Sequence, residues 1–129
     1  MDAVELWYLP ATGLVTAIKA KDVSPVGAVD AVLARIECLN PTLNASCTIT
    51  AKSARAAATE AEVAAVPGYP LGAPHRMSVS IKDLVTSESV RMIHSSKLYE
   101  HFGPDEDAPV VERLDMSDWR SGCRSSGHA

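Results

Sequence analysis

A single amphipathic segment, bracketed by two prolines, narrows the folds open to this chain. Ser24-Pro25 is a helix start. A serine hydroxyl caps orphan amides, and a proline at the first helical position has no amide to leave unpaired. Val26, Val29, Val32, Leu33 and Ile36 follow at three- and four-residue steps, one apolar stripe over about three turns. Asp30 and Arg35 fall largely outside that stripe. Asn40-Pro41 is expected to stop the helix. A helix this amphipathic needs a surface to lie against, so its neighbours in sequence set the architecture.

The best-placed neighbour is rich in alanine. Half of residues 51–66 are alanine, and Thr50 or Ser53 can open a helix running to about Val66. Alanine has the best helix propensity and lets another backbone come close, but it buries little area per residue. Upstream, Thr12 can cap a short helix to about Ala20, with Leu14, Val15 and Ile18 on one face. Ala45 to Thr50 alternates like a short strand or an extended linker. Pro67-Gly68 ends the alanine helix, and residues 69–74 form a turn-rich connection. Phe102 is the only Phe, so the core must come from aliphatic side chains and alanine.

Ser78-Val79-Ser80-Ile81-Lys82 then alternates small or polar with apolar side chains, the pattern of a strand with two different faces. Val79 and Ile81 point one way; Ser78, Ser80 and Lys82 point the other. Read alone, Lys82 is an edge-strand lysine that keeps a sheet soluble. Thr86 to Ile93 suggests a further extended segment, and Ser95-Ser96-Lys97 a loop. Asp105-Glu106-Asp107 ahead of Pro109 marks another helix start, with negative charge at the positive end of the dipole. Beyond Leu114, residues 115–129 carry no apolar periodicity and read as an unrelated, disordered tail.

Charge and cysteines exclude several classes of function. Twelve basic and sixteen acidic residues give a net charge of −4, which argues against a surface that tracks nucleic-acid phosphates. No apolar run is long enough to span a membrane. Met1 to Leu9 holds Asp2 and Glu5 without a basic region, unlike a signal peptide. Cys38, Cys47 and Cys123 are odd in number and irregularly spaced, which fits reduced thiols of a cytoplasmic protein. The four histidines show no zinc-ligand spacing with them, so no metal is expected.

Taken in order, these pieces resemble the N-terminal part of the amidase signature family, which includes the A subunit of the glutamyl-tRNA(Gln) amidotransferase. The matching residues are the helix from Ser24 to Glu37, then Leu39-Asn40-Pro41-Thr42-Leu43-Asn44-Ala45, then the alanine-rich helix. Pro70-Leu71-Gly72, Val79-Ser80-Ile81-Lys82-Asp83, Ser96-Lys97-Leu98-Tyr99 and Pro104 to Leu114 complete the series. The resemblance spans roughly residues 5–114. It implies an α/β fold, a mixed sheet with helices on both faces, of which this chain carries the N-terminal helices and first strands as an incomplete domain.

The resemblance also implies a chemistry. The family cleaves amide bonds with a Ser–cis-Ser–Lys triad, and its lysine closes an Ile-Lys-Asp stretch like this one, so Lys82 is the catalytic residue carried over. A serine hydroxyl is a poor nucleophile until a base takes its proton. A lysine is that base only in its neutral form, which enclosure favours. The family's two serines lie in a Gly/Ser-rich region beyond the lysine, and the pattern here stops at Leu114, as a shifted reading frame produces. Ser125-Ser126-Gly127 is too near Lys82 in sequence to serve. Ser80 reads as a small residue beside the lysine, Asp83 as an orienter of the following loop through short side-chain-to-backbone bonds, and His94 and His101 as surface loop residues. The implied partner is a small-molecule amide; no cofactor is implied. Uncovered apolar surface around Val79, Ile81 and the alanine helix favours self-association.

This sequence also departs from the family. Arg76-Met77-Ser78 stand where the family usually has Gly-Val-Pro, and Ser95-Ser96 where it usually has Gly-Ser. Arg76 in place of that glycine, where the backbone needs a positive φ, costs strain and is expected to distort the entry of the lysine strand. A free-standing amidase and an amidotransferase A subunit remain equally open, as do a non-catalytic helical interaction module and a gene remnant without function.

Overall fold

The structure, a computed structural model, describes residues 3–63, 79–116 and 125–127. Its centre is α3 (Pro25–Leu43), which begins as the sequence dictates. The Ser24 hydroxyl accepts a hydrogen bond from the Gly27 amide at 2.9 Å, and Pro25 occupies the first turn. Pro41 does not stop the helix, which runs two residues further to Leu43. A proline in the last turn removes only one amide, and Asn44 closes the end in the left-handed conformation (φ 49°), donating its amide to the Asn40 carbonyl at 2.7 Å.

Helix α3 is buried on two sides. On one, Val29 and Leu33 pack with Ala54 and Ala58 of α4 (Ala51–Val63), and Val26 and Ile36 flank them. Ala54 is fully buried at this contact, where its small side chain lets Val29 and Leu33 pack against α4. On the other, Ala28 packs with Ala17 and Ile18 of α2 (Ala11–Lys19) and with Val23. The expected stripe of Val29, Val32, Leu33 and Ile36 is buried or half-buried throughout. An Arg55–Asp30 ion pair at 2.8 Å joins α4 to α3, but both side chains are about half exposed, and pairs of that kind contribute at most about 1 kcal/mol.

A short α1 (Ala3–Tyr8) precedes these helices. It is too short to show a period and is held by two side chains, Leu6 against the cluster around Ile18 and Ala28, and Trp7. The Trp7 indole donates to the Ala31 carbonyl at 3.1 Å, and the Arg35 guanidinium lies 4.4 Å from the ring centroid.

The sheet has three strands in the order β1-β3-β2: β1 is Ser46–Ile49, β2 is Ser80–Lys82 and β3 is Ser125–Gly127. Asn40 registers β1 against the end of α3, its side chain donating to the Ser46 carbonyl and accepting from the Ser46 amide. The central strand, β3, runs antiparallel to β1 and parallel to β2. The chain returns from β2 to β3 through α5 (Pro109–Met116), a β–α–β connection. Residues 125–127 are placed as the short central strand of this sheet. A strand held by backbone bonds needs no apolar pattern, and its Ser-Ser-Gly sequence supplies none. The other tail residues after Met116, the turn-rich stretch 67–74 and Arg76-Met77-Ser78 lie outside the described residues.

Substitutions of opposite kind test the α3–α4 contact. Leu33→Ala should destabilise the chain by about 2–5 kcal/mol through the cavity it leaves. Ala54→Leu should cost about 1–3 kcal/mol through overpacking at a site with no free surface. Urea unfolding midpoints of both variants against the parent measure this; an unchanged midpoint for Ala54→Leu would contradict the close approach of the helices.

Candidate functional site

Lys82 stands at the end of β2, on an outer strand of the sheet. Ser80 and Lys82 are exposed and Ile81 is half-buried, the alternation expected of two unlike faces. Its neighbour in register on β3 is Gly127, so the pairing puts no serine directly opposite the lysine. Among the described residues, no hydrogen bond or ion pair engages the Lys82 side chain.

The loop after Lys82 is built by backbone bonds. The Val85 amide donates to the Lys82 carbonyl at 2.9 Å, closing a tight turn directly behind the lysine. Asp83 is 1% exposed, and its Oδ1 accepts from the Ile93 amide at 3.1 Å. The carboxylate thus fastens the end of β2 to a residue ten positions on, a longer reach than the short local bonds expected of it. Residues 86–93 hold turns and irregular backbone, not the expected extended segment. They are laced to residues 102–108: Met92 donates to the Phe102 carbonyl at 2.9 Å, Ser89 to that of Pro104 at 3.0 Å, and Ala108 to that of Thr86 at 3.0 Å. The Glu88 amide adds a bond to the Asp107 carboxylate at 2.6 Å. Arg91 connects this loop to β1, donating to the Cys47 carbonyl while its own carbonyl accepts from the Thr48 hydroxyl.

Ile93 to Ser96 turn sharply, the Ser96 amide donating to the Ile93 carbonyl at 2.8 Å. Both central residues are left-handed, His94 at φ 47° and Ser95 at φ 55°. That is the arrangement of a type I′ turn, which favours glycine or asparagine. Glycine at Ser95 would adopt this φ without the strain a side chain brings. Ser96 then accepts from the Leu98 amide and opens the short 3-10 helix Lys97–Tyr99. His94 is half-buried against Tyr99, ring centroids 5.2 Å apart, with Phe102 completing the cluster. His101 is exposed, as expected of a loop residue.

Among the described residues, no group of three or more His, Cys, Asp or Glu side chains could hold a metal ion. None of their helices is long and apolar enough to cross a membrane.

The family model described as Amidase matches residues 27–126, which takes in β2, the Lys82 loop and most of β3. This chain belongs to the amidase family. It is 35% identical over 111 residues to the glutamyl-tRNA(Gln) amidotransferase A subunit of Carboxydothermus hydrogenoformans, covering 86% of this chain and 23% of that protein. The corresponding A subunit of Geobacter metallireducens is 37% identical over 114 residues, again with 23% of its length covered. The chain therefore spans less than a quarter of these relatives. Its fold matches a bacterial aryl acylamidase of the amidase signature family at a TM-score of 0.73 and 22% identity, covering 86% of this chain and 24% of that one. It also matches, at 0.75 and 24% identity, a chain from a vestigial complex linked to the origins of an s-triazine catabolic enzyme, covering 92% and 24% of the two. The match ends at residue 126, past the Leu114 at which the sequence pattern stops.

Asp83→Ala should cost about 1–3 kcal/mol, because it leaves the Ile93 amide without its acceptor. Hydrogen exchange at the Ile93 amide should accelerate with it, and Asp83→Asn, which keeps an acceptor oxygen, should retain most of the protection. Equal exchange at Ile93 in parent and Asp83→Ala would contradict the tether.

Proposed function

We propose that this chain supplies the N-terminal part of an amidase-type hydrolase of carbon–nitrogen amide bonds, with Lys82 as the general base of a Ser–cis-Ser–Lys triad. The observation that carries the reading is the family match over residues 27–126, a range that takes in the strand ending in Lys82. The position suits the role. A strand end that gives way to a tied-down loop holds a side chain at the rim of a sheet, which is where open α/β sheets do their chemistry. In the complete site the lysine takes the bridging serine's proton, and the bridging serine takes that of the nucleophile. The nucleophile then attacks the amide carbon.

The substrate is an amide. Identities of 35% and 37% to amidotransferase A subunits favour a role of that kind, in which this chain works beside partner subunits. The setting is cytoplasmic, in keeping with an odd set of cysteines, of which Cys38 and Cys47 are free thiols. By itself the 129-residue chain is not expected to turn over amides, since catalysis by the triad needs all three members enclosed.

A chimera tests the role of Lys82. Residues 27–114 of this chain replace the matching segment of a full-length amidotransferase of the same family, and amide hydrolysis is measured. The chimera should be active. Lys82→Ala should lower kcat by about 10³-fold or more, as loss of a triad member does, whereas Ser80→Ala should leave it near the parent value. An active Lys82→Ala chimera would sink the assignment. Amide turnover by the 129-residue chain alone, lost in Lys82→Ala, would show that it closes a triad of its own.

A further inference from the structure

Behind the lysine strand lies a feature that the triad reading does not use. Ser87 is 5% exposed, and its hydroxyl has no hydrogen-bond partner among the described residues. A hydroxyl taken out of water in this way carries a desolvation cost, so a native structure holds one only where something meets it. Ser87 lines a narrow cleft of about 10 Å³ between β2 and the loop, together with Asp83. Ile81, Val85, Val90 and Met92 supply its apolar walls. Counted as the space open to the centre of a water-sized sphere, that is about what a single water molecule needs.

We propose that the Ser87 hydroxyl holds a single ordered water in this cleft, with the Asp83 carboxylate as a second partner. A carboxylate offers about four acceptor sites, more than the bond from Ile93 uses, so Asp83 can accept a hydrogen bond from the water. The water joins the turn at Ser87 to the buried carboxylate at the end of β2. It therefore belongs to the same fastening that holds the backbone of Lys82, which with Arg91 also lines the cleft. The inference stands independently of the catalytic role of Lys82.

The sign of a single substitution separates this from a dry cleft. If the hydroxyl is unmet, Ser87→Ala removes a liability and the folding equilibrium constant rises or stays level. If the hydroxyl holds a water, Ser87→Ala should lower that constant about 5- to 10-fold, and Ser87→Thr, which keeps the hydroxyl, should lower it less. Oxygen-17 relaxation dispersion of solvent water on the parent chain gives the second measurement, with at least one long-lived water expected and one fewer in Ser87→Ala. No long-lived water in the parent, an unchanged number in Ser87→Ala, or a stabilised Ser87→Ala would each overturn the proposal. Unfolding in sodium chloride and in choline chloride of equal ionic strength should give the same midpoint. A midpoint raised by sodium alone would mean that the occupant is a cation, and the water would have to go.

Discussion

Burial of α3 on two sides is the constraint on which the other helices depend. Val29 and Leu33 face the alanines of α4, while Ala28, one position earlier, faces α2. A helix covered on one side can slide or roll on its partner; covered on two, it has one position. Alanine at the α4 contact makes this workable in a chain with few aromatics. Ala54 and Ala58 give little burial of their own, yet they let Val29 and Leu33 reach a backbone that larger residues would hold away. The valine and leucine provide the apolar area, and the alanines provide the fit.

That packing also places β1. Asn40, in the last turns of α3, makes two hydrogen bonds to Ser46, so the strand's start is set by the helix before any sheet bond forms. Strand β1 then offers β3 an edge. Both neighbours of β3 are short, and β2 has three residues. What compensates for so short a strand is the loop behind it. Its amides and carbonyls meet partners from residues 102–108, and Asp83 closes the circuit to Ile93. Backbone groups that would otherwise be stranded beside the sheet are thereby satisfied by a segment close in sequence.

Helical parts of this fold are legible because their signals are periodic. The α3 stripe, the serine–proline start and the alanine run each follow from local physics, and each is found. Alternation likewise exposes the two faces of β2 and so the position of Lys82. What escapes is held by backbone or by single side chains. Trp7 fixes α1 with one indole bond and an arginine over its ring, which no period announces. Pro41 reads as a stop because proline breaks helices in general, although in a last turn it costs one bond. Asp83 is recognisable as an orienter of the loop, but its ten-residue reach depends on how the loop folds back. Ser125–Gly127 shows the limit most clearly. Serine and glycine are poor strand formers, and only the waiting edges of β1 and β2 make them a strand.

The turn at His94-Ser95 shows how such a loop can be well fixed and yet strained. Two consecutive left-handed residues without glycine cost about 1–2 kcal/mol each against an ordinary backbone. The surroundings hold them there: Asp83 takes the amide of Ile93 on one side, and the Ser96 hydroxyl takes that of Leu98 on the other. His94 gains tilted ring contacts with Tyr99 and Phe102 in return. Both anchors act on the same short loop, and one of them, Asp83, also sits next to Lys82 at the end of β2.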